Sequence, residues 1–214
     1  MRADGFFFGS IQLLYRALRV IRSSWYAYVL RAPHLDIGVG CHLKGVRHIW
    51  FGAHVSIFRN MWLEAVTRHG GRDYQPRIEI GARTSFSNNV HVSCIERISF
   101  GEDVLVGSNV HISDHNHGSY AGTAPSLPDT APALRQLGSG GPVVIGNKVW
   151  ICDGVVIIGP ARIGDGAVVG ANAVVRGDIP AGAMVAGAPA RVVKQFDAPT
   201  GQWLKPRKRD GLDA

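Results

Sequence analysis

The residues best equipped for chemistry crowd into HISDHNHG, His111 to Gly118, where three of the nine histidines share eight positions with Asp114. Three chemistries suit such a segment. Imidazoles can converge on a metal ion. A neutral imidazole can take a proton from a hydroxyl near neutral pH, because its ordinary pKa lies close to that range. A polar loop with no chemistry is the third. The chain has no nucleophile-elbow motif, so direct transfer without a covalent enzyme intermediate agrees better with it.

A catalytic group needs a rigid support, and the sequence supplies one in a period of six. Stepping from Ile145 by six meets Ile151, Ile157, Ile163, Val169 and Val175, all β-branched. Four residues after each stop lie Val149, Val155, Ala161, Ala167, Ala173 and Ile179. Earlier copies are less perfect: Ile80, Phe86, Val92, then Phe100, Val106, Ile112, with Ile37, Leu43, Phe51 and Ile57 as worn examples. Six matches neither the helical period nor strand alternation. It describes a short strand and a tight turn, three of which close one coil of a solenoid whose coils bury their apolar slots against each other. A sandwich of short strands would predict irregular spacing instead.

The repeat runs from about residue 35 to residue 190 and is interrupted twice. NHGSYAGTAPSLPDTAPALRQLGSGG has no six-residue register and directly follows the histidines, a position where long insertions tend to be functional. The shorter TRHGGRDYQP, Thr67 to Pro76, reads as a loop bordering an acceptor pocket. Ahead of the repeat, Ile11, Leu14, Leu18 and Ile21 recur at helical spacing, with Arg16, Arg19 and Arg22 toward another face and Ser10 as a cap. That helix can close the open end of the solenoid or rest on an anionic membrane. The organisation expected is a helical segment over 1–34, a coil over 35–195 with an excursion over 115–142, and a basic tail over 196–214.

Bulk properties narrow the class. The chain has 214 residues, 46% hydrophobic and 18% charged, enough for one domain with a real core. Cys41, Cys94 and Cys152 are odd in number and form no CxxC pair, which argues against a disulfide framework and suits a reducing compartment. No cleavable leader is convincing, and arginines interrupt the apolar run of residues 5–30, so a cytoplasmic protein that can sit on the inner membrane face is expected. The net charge of +7 favours anionic partners. Lys205, Arg207, Lys208 and Arg209 form a basic end, but without aromatic platforms or a reading motif nucleic acid is not the expected partner.

The block IGNKVWICDGVVIIGPARIGDGAVVGANAVVRGDIPAGAMVAGAPARVVKQ resembles the carboxy-terminal half of hexapeptide-repeat acyltransferases. More narrowly, VHISDHNHG, GPVVIGNKVWI and AGAPARVVK resemble the lipopolysaccharide-biosynthesis O-acetyltransferases of the maltose and galactoside type. The resemblance covers residues 75 to 205 well and the first third weakly. It implies an all-β fold, a left-handed parallel β-helix with a short helical segment and a protruding loop, assembled as a homotrimer with sites in the clefts between prisms. It implies acetyl-CoA as donor, a sugar or lipid-linked saccharide hydroxyl as acceptor, and no metal.

Residue by residue, the ungapped match puts the family's catalytic histidine on His117; a two-residue gap puts it on His115. The other histidine, or Asp114, then orients the base or touches the acceptor, and His111 is structural. The family's acceptor-side asparagine falls on Ser87, beside Asn88 and Asn89, so Asn88 is the candidate, with Glu96 as an acceptor-binding carboxylate. Matching donor-site positions are Trp150, Cys152, Asp153, Ala171, Arg176, Arg191 and Lys194. Where relatives carry Thr-Lys before Asp-Ile-Pro, this chain has Arg176-Gly177. Two other enzymes stay open on the same coil: a γ-carbonic-anhydrase-like zinc enzyme using His111, His115 and His117, and a sugar N-acetyltransferase.

Overall fold

The structure, a computed structural model, describes residues 6–206. The side chains of residues 6–8 and 10 are not among those described, and the basic residues 207–209 lie outside the described residues.

The six-residue period becomes three parallel strand ladders that the chain visits in rotation. The first stacks Ile37, Ile57, Phe86, Val106, Ile151, Val169 and Val185 in register. The second stacks Leu43, Leu63, Val92, Ile112, Ile157 and Val175. The third aligns Phe51, Ile80, Phe100, Ile145, Ile163 and Ile179. Every residue of the Ile145-to-Val175 series is buried, because each strand turns alternate side chains inward and the next coil covers them. At about 25 cal/mol per Å² of apolar surface, such stacking is the main stabilising term of the coil.

The corners are as regular as the strands. Between the first and second ladders, Asn60, Asn89, Asn109 and Asn172 all have φ of 57–58°, the left-handed region that asparagine tolerates. Their amides also join coil to coil: Asn60 Nδ2 donates to Asn89 Oδ1, and Asn89 Nδ2 to Asn109 Oδ1, each at 3.1 Å. Gly154 takes the same corner with φ 70°, and a Cβ there would lie 2.2 Å from Asn172 Oδ1, so only glycine fits.

Three segments differ from the sequence reading. Helix α1 spans Phe6–Val29, so Ser10 lies inside it and does not cap it. The excursion has no six-residue register but is ordered by its own pairing: His115–His117 runs antiparallel to Leu137–Ser139, and a short 3-10 turn occupies Pro132–Leu134. Strand pairing continues beyond residue 196, since Arg191–Asp197 folds back on Ala183–Ala186 and is joined by Gln202–Leu204. Antiparallel pairing here ends the parallel stack and covers its open edge.

Candidate active site

The second ladder ends at a corner where the chain leaves the coil. Ser113 is the last residue of its strand, and Asp114 turns the corner with none of its surface exposed. A buried carboxylate is costly unless it is fully hydrogen-bonded, and this one is. The backbone N–H of Ile95 donates to Oδ1 at 2.9 Å, and those of Glu96 and Arg97 donate to Oδ2 at 2.8 and 2.9 Å. The Cys94 thiol donates to Oδ2 at 3.1 Å. All four belong to the same corner of the preceding coil. Burial alone would push the carboxyl up; the bonds from His115 and this corner outweigh it and hold Asp114 below the ordinary carboxylate range. Burial, then the charge of Asp114, pushes the Cys94 thiol well up, so that sulfur stays protonated and donating.

The remaining Asp114 contact is His115 Nδ1, 2.9 Å from Oδ1. Ionised Asp114 can only accept, so the proton sits on Nδ1 and the lone pair is left on Nε2. The His115 side chain is 8% exposed, a ring held by its neighbours. Ser113 fixes its backbone as well: the Ser113 hydroxyl donates to His115 O at 2.9 Å and accepts from His115 N at 3.2 Å. The excursion closes at the same place, where Gly140 N donates to Asp114 O at 2.7 Å. A Cβ on Gly159, one coil on, would stand 2.0 Å from Gly141 O. The corner is therefore packed backbone on backbone, a rigid mount for one imidazole.

His117 is placed differently. It is exposed on the outgoing strand of the hairpin, and its ring meets His69 edge-on at 5.3 Å. His111 lies on the outer side of the second ladder, 4.9 Å from His91, which in turn meets Trp62 at 5.6 Å. Each ring of the cluster thus has its own neighbour, and among the described residues no three His, Cys, Asp or Glu side chains converge as a metal requires.

The other expected residues divide over several parts of the coil. Glu96 is exposed beside Asp114, and Ser139, the cross-strand partner of His115, donates to its Oε2. Asp114 has no exposed surface to offer an acceptor, and its imidazole partner is His115. Arg176 is exposed where the chain passes from the second to the third ladder, the corner that bears His115, in the coil above Gly159. Asn88 is not at this corner. It precedes the second ladder and lines an open groove under α1. Trp150 lies on the first ladder, half-exposed and in register with Val168, and Cys152 directly follows that strand. Asp153 accepts from Ser108 N, which is a corner-stitching role. Ala171 is exposed at the corner after the first ladder, and Arg191 and Lys194 are exposed on the antiparallel strand that closes it.

Sequence reasoning found the Thr67 to Pro76 loop but missed that it docks on the excursion. Tyr74 Oη donates to Leu137 O at 3.2 Å and accepts from Leu137 N at 3.1 Å, while Gln136 Nε2 donates to Gly70 O at 2.7 Å. The hairpin of Arg68–His69 and Arg72–Asp73 thereby docks on the excursion and brings His69 to His117. Its polar, glycine-rich composition flagged a loop but not its partner. The corner under Asp114 had a signal: Cys94 precedes Asp114 by 20 residues, one coil in this part of the chain.

Residues 142–177 match the family model for the bacterial transferase hexapeptide (six repeats). Over 166 residues the chain is 36% identical to a provisionally assigned lipopolysaccharide biosynthesis O-acetyl transferase, WbbJ, of Escherichia coli (strain K12), covering 77% of this chain and 81% of that one. It is 29% identical over 147 residues to the galactoside O-acetyltransferase of the same strain, covering 66% and 64%. Among solved structures, the hexapeptide-repeat acetyltransferase VCA0836 of Vibrio cholerae O1 biovar eltor, complexed with acetyl coenzyme A, superposes with a TM-score of 0.53 at 21% identity over 91% of each chain. A variant of AntD, an N-acyltransferase from Bacillus cereus, reaches 0.62 at 17% identity over 79% and 84%. With a relative matched above 30% identity across most of both chains, this protein belongs to the hexapeptide-repeat acyltransferases.

Proposed function

We propose that the chain transfers an acetyl group from acetyl-CoA directly to a sugar hydroxyl during synthesis of a surface polysaccharide or lipopolysaccharide, with His115 as general base. The observation that carries this reading is the Asp114–His115 pair, a buried carboxylate that fixes the imidazole with Nε2 free at the root of the excursion. Of the two histidines the motif leaves open, His117 has no carboxylate partner among the described residues, and its ring meets His69 edge-on.

In the reaction, Nε2 of His115 takes the acceptor hydroxyl proton as the oxygen attacks the thioester carbonyl. The imidazolium so formed is stabilised by Asp114. Collapse of the tetrahedral intermediate breaks the carbon–sulfur bond, and His115 returns the proton to the CoA thiolate. The products are the acetyl ester and free CoA. Glu96 at the same corner can accept from another sugar hydroxyl. Arg176, Arg191 and Lys194 are exposed cations suited to the donor's phosphates.

The split of the expected residues supports an assembly of copies. Asn88, Trp150, Cys152, Asp153 and Ala171 lie away from the His115 corner within one chain, and adjacent prisms of a homotrimer would bring such surfaces together. A left-handed coil agrees with the fold of the matched acetyltransferase structures, and a cytoplasmic location agrees with acetyl-CoA as donor.

The test is thiol release from acetyl-CoA against a panel of free and nucleotide-linked sugars. His115→Ala is expected to lower turnover at least ~100-fold, the scale of losing a general base. Activity near that of the unaltered enzyme in His115→Ala sinks the assignment. Base-lability of the acetylated product distinguishes an ester from an amide, and so an O-transferase from an N-transferase.

A further inference from the structure

Helix α1 is seated on the coil by Arg19, Arg22 and Ser23, with Tyr26 and Ala27 packed against the core on the same side. Arg19 makes a two-pronged pair with Asp36, Nε to Oδ1 and Nη2 to Oδ2, both at 2.6 Å. Arg22 Nε donates to Ile37 O at 2.9 Å, and Ser23 Oγ accepts from Ile37 N at 3.0 Å. One face of the helix is thereby used, and it is the face with the charges. The opposite face carries Leu14, Leu18, Ile21, Trp25 and Tyr28, between 48% and 83% exposed. Residues at this spacing form one continuous stripe. A helix that only capped the coil would turn that stripe inward.

The cations lie across the helix from the stripe, on the side of the coil. A groove of about 880 Å³ between α1 and the first corner is lined by Arg16, Arg19, Arg22 and Arg59. Among the described residues Arg19 is paired with Asp36, while no carboxylate lies within ion-pair distance of Arg16, Arg22 or Arg59. A helix with an apolar stripe ending in Trp25 and Tyr28, and with arginines lacking a carboxylate partner on its polar side, has the chemistry of an interfacial helix. No helix of the described residues is long and apolar enough to cross a membrane.

We propose that α1 lies in the headgroup layer of an anionic phospholipid membrane, with Leu14, Ile21, Trp25 and Tyr28 toward the acyl chains and Arg16 and Arg59 on lipid phosphates. The coil then hangs from the surface by the Arg19–Asp36 contact. This anchoring is independent of the identity of the acetyl acceptor.

The test is co-sedimentation of the full chain with vesicles of phosphatidylcholine alone, or of three parts phosphatidylcholine to one part phosphatidylglycerol. Binding to the second and little to the first is expected. Ile21→Glu with Trp25→Glu faces away from the coil and should lower the partition coefficient at least ~10-fold, through loss of buried apolar surface. Arg16→Glu should lower it by roughly five-fold or more, as one cation near the surface is lost. Helicity by circular dichroism and thiol release with a small water-borne sugar should be unchanged in these variants, so a failure here is separate from a failure of the catalytic reading. The proposal is overturned if the unaltered chain ignores the anionic vesicles. It is also overturned if Ile21→Glu with Trp25→Glu lowers the oligomeric mass in light scattering without lipid, because the stripe is then a subunit interface.

Discussion

The coils from Ile145 to Val185 and the corner at Asp114 are two regions of one stack with opposite interiors. The first buries Ile151, Ile157, Val169 and Val175, and nothing inside it carries charge. The second buries a carboxylate with no exposed surface, using one coil's backbone donors to hold the next coil's side chain. A stack of apolar coils can be repeated without limit and does no chemistry. Its use is to supply positions fixed well enough that a single polar exception can be satisfied and aimed. The corner spends stability on placement, while the late coils supply it.

Substitutions can break or sharpen this contrast. The largest effect is expected for the base: His115→Ala should lower kcat by roughly 10²–10⁴, far more than the loss of its bond to Asp114 lowers the folded fraction, while His117→Ala should cost less than about ten-fold. Equal losses for the two would remove the corner's claim to be special. Next come the supports. Ile157→Ala should cost about 2–5 kcal/mol in denaturant unfolding by leaving a cavity, with turnover of the folded fraction intact. Asp114→Ala should cost about 3 kcal/mol by stranding donors of the Ile95–Arg97 corner, and should also lower kcat. Asp114→Asn keeps the shape but gives His115 Nδ1 no anion, so its kcat should fall far more than its stability. If Ile157→Ala and Asp114→Ala give the same ratio of activity loss to stability loss, the two regions do not differ in the way described.

Acid should reveal the contrast in two windows. Asp114 is held below its ordinary value in the folded state, so between that lowered value and about 3.9 the unfolded chain binds the extra proton. Its stabilising contribution is therefore full above about pH 4 and is lost as pH falls through the folded value. His91 and His111 are also lowered, by burial first, so they stay neutral in the fold when the unfolded chain has begun to protonate. Stability should then already decline as pH drops below about 6.5. Unfolding midpoints of Asp114→Asn should flatten the lower window alone, and those of His91→Ala the upper. The smallest effect is expected for Tyr74→Phe, which removes the hydroxyl shared with Leu137. A few-fold rise in the acceptor KM with kcat held would show that the two docked loops shape the acceptor side; no change would leave them as packing.

Helix α1 shows how far pattern reading goes. The spacing of Leu14, Leu18 and Ile21 marks an amphipathic helix from the residue types alone, and the structure has one. Which side docks is not in the helix. It follows from Asp36 and the Ile37 backbone presenting polar partners at the first strand, and these attract Arg19, Arg22 and Ser23. The excursion is a similar case. Its composition signals a break, but the pairing of His115–His117 with Leu137–Ser139 needs two segments about twenty residues apart to meet.

What the sequence by itself determined is the stack. A six-residue recurrence of β-branched residues has one efficient way to bury itself, and each coil repeats the instruction locally, so Ile145 to Val175 could be assigned before any coordinates. Only the tertiary structure decided which histidine has a partner. His115 and His117 stand two positions apart in the same motif, and the donors that ionise and bury Asp114 belong to residues 17 to 20 positions earlier. Hydrogen bonding depends on distance and angle across coils, which a periodic pattern of apolar residues does not encode.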